Sequence, residues 1–282
     1  MVGNLSAMGL QLDLADAIKP IKDARFVVTT IFVGFVFGPA FAYLITRLVS
    51  MERPYAIGLL LLSLAPSAPF LPLVVKIARG DLPATAGLML LASVGTIVAM
   101  PLGVPYVAAG LDANAWAIAR PLLFLVLAPL ALGMAVRYRS STWADRIYIY
   151  VKKITTIGTL VFLGVVFTLN FRSFFGALGS GAFAAQILFV GGLTLGSYWI
   201  AGGLRQEQRV VVSLGMCTRN IGAAAAIVGP GGDQRIMVML VIGTLATVGI
   251  SFGIARWFAR LAAHRKPMKP SDEAIATAGG HD

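Results

Sequence analysis

Arg219 and Asn220 stand inside the apolar run "GMCTRNIGAAAAIVG" (215–229), with no carboxylate near them in the sequence. A guanidinium offers five donors and a permanent positive charge. The neighbouring amide of Asn220 donates and accepts, and Thr218 adds a hydroxyl. That set suits recognition of an anion better than proton transfer or nucleophilic attack. A second run, "LAPSAPFLP" (64–72), carries Pro66, Pro69 and Pro72 at three-residue spacing, with Ser67 between the first two. Each proline lacks an N–H, so the carbonyls of Leu62, Ala65 and Ala68 lose their helical partners. Freed carbonyls and a lone cation are complementary.

Two roles for Arg219 follow: holding the carboxylate of a substrate, or satisfying carbonyls such as Ala65 and Ala68 as a fixed cation. A third reading is structural glue with no substrate contact. Arg219, Asn220, Thr218, Ser67, Pro66 and Pro69 form the expected substrate-binding set. Gly222 and Ala223 to Ala226 are small enough for close helix approach. Cys217 reads as a packing residue. Arg120 is near enough to a span end to reach the interface, and Asn170 is ambiguous.

The elements that must position these residues are membrane helices. The chain has 282 residues, 58% hydrophobic and 12% charged, about half the charge of a soluble domain. Its mean hydropathy is +0.84. Apolar runs of about 20 residues recur and lack the period-two alternation of a membrane barrel. Eight spans are expected, at 25–47, 55–78, 83–109, 116–136, 154–171, 177–203, 210–229 and 235–259. On that count seventeen Lys and Arg residues fall on the side of the termini and four opposite (Arg47, Arg53, Arg172, Arg235). Both termini are therefore expected in the cytoplasm of a cell (inner) membrane protein. The +11 net charge sets orientation in the lipid bilayer and implies no nucleic acid.

All twelve carboxylates lie in loops, at span ends or in the termini, and both histidines are in the tail. No coupling ion has an ordinary intramembrane carrier, no catalytic or metal-ligand constellation is present, and no cofactor is implied. The chain is expected not to be an enzyme. Residues 1–24 read as a cytoplasmic or interfacial segment and 262–282 as a disordered basic tail. Between them, 25–110 and 116–261 look like a partial and a full repeat. The break near 68 lies about as far from the start of its first span as the break near 219 does from its own. The matched spans run in opposite directions, as in an inverted repeat, and paired interrupted helices point to a transporter's midplane site.

The runs "SLAPSAPFLPLVVKIARGD" (63–81) and "VVVSLGMCTRNIGAAAAIV" (210–228) resemble the two crossed, unwound helices of the bile acid:sodium symporter family, and "SAMGLQLDLADAIKP" (6–20) resembles the end of its second helix. The resemblance implies an all-α, inverted-repeat secondary transporter of organic anions, with a panel domain packed on a core domain. It implies ten spans, so two are expected to be missing before Met1. It also implies sodium sites, but their glutamate falls on Gly215 and their glutamine on Arg219. A serine–asparagine pair falls on Leu71 and Pro72, and of the hydroxyls in the next helix Thr85 remains. Sodium coupling is therefore doubtful and a uniporter or exchanger is expected. The alternatives are a non-transporting sensor or truncated relative and, on the weaker resemblance of "APSA" to arsenite permeases, metalloid efflux.

Overall fold

A computed structural model describes residues 2–107, 115–169, 171–229 and 232–264; Asn170 and the tail from 265 onward lie outside them. Among the described residues every regular element is helical, apart from one isolated bridge. The helices are α1 (Val2–Gln11), α2 (Leu14–Ile21), α3 (Ala24–Phe32), α4 (Gly38–Leu48), α5 (Arg53–Ser63), α6 (Leu71–Ile77), α7 (Leu82–Val107) and α8 (Ala115–Leu122). They continue with α9 (Ala128–Arg139), α10 (Ser141–Leu169), α11 (Phe171–Gly176), α12 (Ala182–Ile200), α13 (Gln206–Cys217), α14 (Ile221–Val228) and α15 (Gln234–His264).

Among the described residues five stretches are long and apolar enough to cross a membrane: Ala24–Leu48, Leu82–Tyr106, Ile118–Arg139, Ala182–Gly203 and Gln234–Ala263. They coincide with five expected spans. The runs at 55–78 and 210–229 each fold as two short helices, α5 with α6 and α13 with α14. The expected span at 154–171 falls largely in a helix that begins earlier than expected. It makes up the second half of α10, because "STWADRIYIYVKK" before it continues the same helix instead of forming a loop.

Two of the long stretches contain a π turn, and both have the same cause. Pro39 cannot donate to the carbonyl of Phe35, and Pro129 cannot donate to that of Leu125. The residue before each proline bonds one position further back, Gly38 to Val33 and Ala128 to Leu123. Several hydroxyls elsewhere in the helices are satisfied locally, as where Ser93 donates to the Met89 carbonyl and Thr96 to that of Ala92. Lipid offers no other partners.

The helices pack in two groups. In the smaller, α1 lies against α9 and α10, burying Leu5, Met8 and Leu10. Gly9 and Gly133 face each other there; a Cβ on Gly133 would come within 2.5 Å of the Ser6 carbonyl oxygen, so only glycine permits this approach. Arg137 closes the end of α1 by donating to the Leu10 carbonyl and also pairs with Asp145. The larger group holds α3 to α7 and α12 to α15. Its interior is mainly apolar, with Phe26, Leu59, Leu61, Leu62, Leu88 and Phe189 fully buried. At its surface Arg235, at the start of α15, pairs with Glu52 and Asp233. Hydrogen bonds from Arg235 hold the Asp233 carboxyl below the usual carboxylate range.

Candidate functional site

The chain leaves helical geometry between α5 and α6 and again between α13 and α14, and the two gaps meet. Pro66 and Arg219 form an antiparallel bridge. The Asn220 N–H donates to the Ala65 carbonyl (2.9 Å), and the Ser67 N–H donates to the carbonyls of Thr218 (2.9 Å) and Gly215 (3.1 Å). The Thr218 hydroxyl donates to the Gly215 carbonyl at 3.1 Å and accepts from the Ala68 N–H at 3.3 Å. Each broken helix therefore supplies the partners its counterpart lost, which a buried backbone requires. Ser67 reaches this position with φ of +68°, in the left-handed region that costs a non-glycine residue.

Asn220 caps α14, its side-chain oxygen accepting from the Ala223 N–H at 3.2 Å. Thr218, Arg219, Asn220 and Ser67 are all buried, as is Pro66, while Pro69 is half-buried. Five of the six expected residues, Thr218, Arg219, Asn220, Ser67 and Pro66, thus meet where the two gaps cross. Ala223 and Ala224 are buried, with α14 packed on α15 and touching α5 and α8. Cys217 is a free, buried thiol whose carbonyl accepts from Thr247. Arg120 is exposed.

The Arg219 guanidinium does not go where the prolines pointed. Ala65 takes its bond from Asn220, Leu62 from the Ala65 N–H and Ala68 from the Leu71 N–H. Nη1 of Arg219 instead donates to the Ser63 carbonyl at 3.1 Å. That carbonyl is free because its helical partner, the Ser67 N–H, has turned to the other helix. The guanidinium stacks over Phe189 with its carbon 5.0 Å from the ring centroid. Arg219 is only 4% exposed. Its Nε and Nη2 have no hydrogen-bond partner among the described residues.

Sequence reasoning missed four residues. Ser63 and Phe189 carry no signal of their own in an apolar run. Gln186 does: an amide in the middle of "FAAQILFVGG" invites a question, and it is fully buried with neither amide atom hydrogen-bonded. Leu88 matters for a different reason. A Cβ on Gly215 would lie 2.6 Å from its side chain, so leucine fills the space where a longer residue at 215 would extend. Thr85, one turn before Leu88, donates its hydroxyl to the Asp81 carbonyl at 2.8 Å.

The "ARGD" segment is a helix junction. Arg79 takes a left-handed φ of +58°, and the Gly80 N–H closes α6 onto the Val75 carbonyl. Asp81 accepts from the Ala84 N–H to cap α7 and pairs with Arg205. Close by, a cleft of about 190 Å³ opens between the two helix groups. Met8, Gln11 and Leu12 line it from one side and Pro72, Thr85 and Met89 from the other. Its walls are mainly apolar, with Gln11 and Thr85 as polar points.

No curated protein matches the sequence. Residues 1–176 match the family model described as the Sodium Bile acid symporter family, which covers the first broken helix and ends before the second. The match spans more than half of the chain, and its members are membrane transporters. With its several membrane-length apolar helices, this multi-pass membrane protein belongs to the sodium bile acid symporter family.

Proposed function

We propose that the protein is a secondary transporter of a small organic anion and that sodium does not drive it. The chain crosses the membrane eight times, with both termini cytoplasmic, and its breaks occupy matched positions in an inverted repeat. The strong bias of Lys and Arg to one side supports the orientation. The mutual bonding of the two gaps supports the pairing.

One observation carries the reading: a lone guanidinium is buried where the two interrupted helices meet, held by the Ser63 carbonyl and the Phe189 ring. It puts a permanent positive charge where sodium-coupled relatives are expected to gather cations. Sodium would need several oxygen ligands there. Gly215, Arg219, Leu71 and Pro72 bring no side-chain oxygen, and Leu88 closes the space beside Gly215. An added cation would also meet the repulsion of Arg219. The residues present do not fit sodium.

The substrate's apolar body enters the cleft between the two helix groups, and its anionic group is drawn toward the crossing by Arg219. Thr218, Asn220 and Ser67, with Pro66 and Pro69 as rigid spacers, shape that crossing. Transport follows from rocking of one helix group against the other around the cleft. The test is uptake of a panel of carboxylates into vesicles by the wild type and by Arg219→Ala. Substrate-dependent uptake that the substitution abolishes supports the reading. Uptake of no carboxylate, or uptake unchanged by the substitution, contradicts it.

A further inference from the structure

The last helix carries a pattern that the crossing does not use. Between Arg235 and Arg256 the twenty residues Ile236 to Ala255 bear no charge. All of them lie in α15, so they rise about 30 Å, the thickness of a bilayer's hydrocarbon core. Arg235 marks one boundary, where Glu52 and Asp233 neutralise it. Arg256 therefore stands at the other boundary. Arg260 lies about 6 Å further out, among the lipid headgroups.

The cations at this end of the larger helix group differ in what holds them. Arg205 pairs with Asp81. Arg209 donates to the Tyr198 carbonyl and lies over the Tyr198 ring, 4.2 Å from its centroid. Arg256 and Arg260 are exposed, and among the described residues neither has a hydrogen bond, ion pair or ring contact.

Four residues apart, the two free arginines share one face of α15. Leu245, Gly249 and Gly253 precede them on that face at helical spacing, and all are exposed. A Cβ on Gly249 or Gly253 would meet nothing within 4 Å, so no neighbouring helix closes over this stretch. The bare backbone forms a shallow trough that leads to two unpaired cations. Trp257 stands exposed beside its upper end. Its ring packs on Phe258, with centroids 5.1 Å apart, and Phe258 packs on Tyr198 at 5.3 Å. Trp199, exposed next to Tyr198, lies at the same depth. Tryptophans at this level mark the boundary between acyl chains and headgroups.

Charge and shape together name the occupant. Two cations one turn apart suit a phosphate with net negative charge, whereas a zwitterionic headgroup brings an ammonium that they repel. The trough suits an extended acyl chain and offers nothing to a soluble ion. We propose that this face of α15 binds one anionic phospholipid. Arg256 and Arg260 hold its phosphate, Trp257 lies against its glycerol backbone, and one acyl chain runs along Gly253 and Gly249.

The test uses the full chain in lipid nanodiscs with Trp116, Trp143 and Trp199, all exposed, changed to Phe, so that Trp257 alone reports. Phosphatidylcholine is replaced stepwise by phosphatidylglycerol with brominated acyl chains, which quench tryptophan on contact. Quenching should saturate at a low fraction of brominated phosphatidylglycerol, whereas brominated phosphatidylcholine should quench only in proportion to its amount. The preference should fall about fivefold in Arg256→Gln or Arg260→Gln and roughly twenty-five-fold in the double variant, from the loss of one or two surface cations. Gly253→Leu fills the trough without altering a charge and should also weaken the quenching. Inorganic phosphate should not displace the lipid.

Equal quenching by the two lipids overturns the inference, and so does a preference that survives loss of both arginines. A preference that Gly253→Leu leaves intact, or that inorganic phosphate abolishes, means charge at a surface without a seated lipid and overturns it too. If the protein with three added Phe residues does not fold, mass spectrometry of the intact wild type and the double arginine variant decides. About one phosphatidylglycerol retained per wild-type chain and none by the variant supports the site; equal retention overturns it. None of these measurements involves uptake, so their outcome is independent of the transporter reading.

Discussion

In the first interrupted helix, α5 with α6, prolines at 66, 69 and 72 remove backbone donors outright. In the second, α13 with α14, every residue between Cys217 and Ile221 keeps its N–H, yet the helix still stops at Thr218. The first break is written into covalent structure. The second is held open by tertiary bonds: the Asn220 N–H to Ala65, the Asn220 cap on α14, and Arg219 to Ser63. Side-chain substitutions should therefore disturb the second break more than the first.

Removing Arg219 has the largest expected effect. Arg219→Ala strands the Ser63 carbonyl and deletes the cation, and uptake of any carboxylate substrate should fall at least about thirtyfold, the low end for truncating a buried charged partner. Next is Gly215→Ala, which drives a methyl group into Leu88. It should cost about 1–3 kcal/mol in unfolding free energy. Adding Leu88→Ala should recover part of that loss; strictly additive costs would show that Leu88 does not fill this space.

Asn220→Ala should cost about 1 kcal/mol through loss of the α14 cap, read as a lower unfolding midpoint. A midpoint as high as that of the wild type would argue that the second break does not depend on this cap. The smallest effect has the opposite sign. Ser67→Gly relieves the positive φ within the first break and should stabilise the protein by roughly 0.5–1 kcal/mol, after the entropy lost by adding a glycine. Destabilisation there would mean that the unpartnered Ser67 hydroxyl has a role the strain argument omits.

This contrast also explains how much the sequence discloses. Both breaks were legible, one from proline spacing and one from a charge placed in an apolar run. The membrane-length helices were legible from hydropathy alone. The carbonyl that Arg219 satisfies was not. Proline chemistry names Leu62, Ala65 and Ala68, whereas Ser63 is exposed only because Ser67 bonds across to Thr218 and Gly215. A partner created by tertiary pairing leaves no local signal. The full length of α10 was hidden because charges at Asp145, Arg146, Lys152 and Lys153 mimic a loop, though they lie on one continuous helix. Leu88 reads as any core leucine until its distance to Gly215 is known.

The central claim is that a protein cation replaces the ion expected in this family. Its most direct test is vesicle uptake of a transported carboxylate with sodium fully replaced by potassium. On the proposed reading, in which Arg219 and Leu88 stand where sodium would bind, an unchanged initial rate is expected. Uptake that collapses without sodium would contradict it.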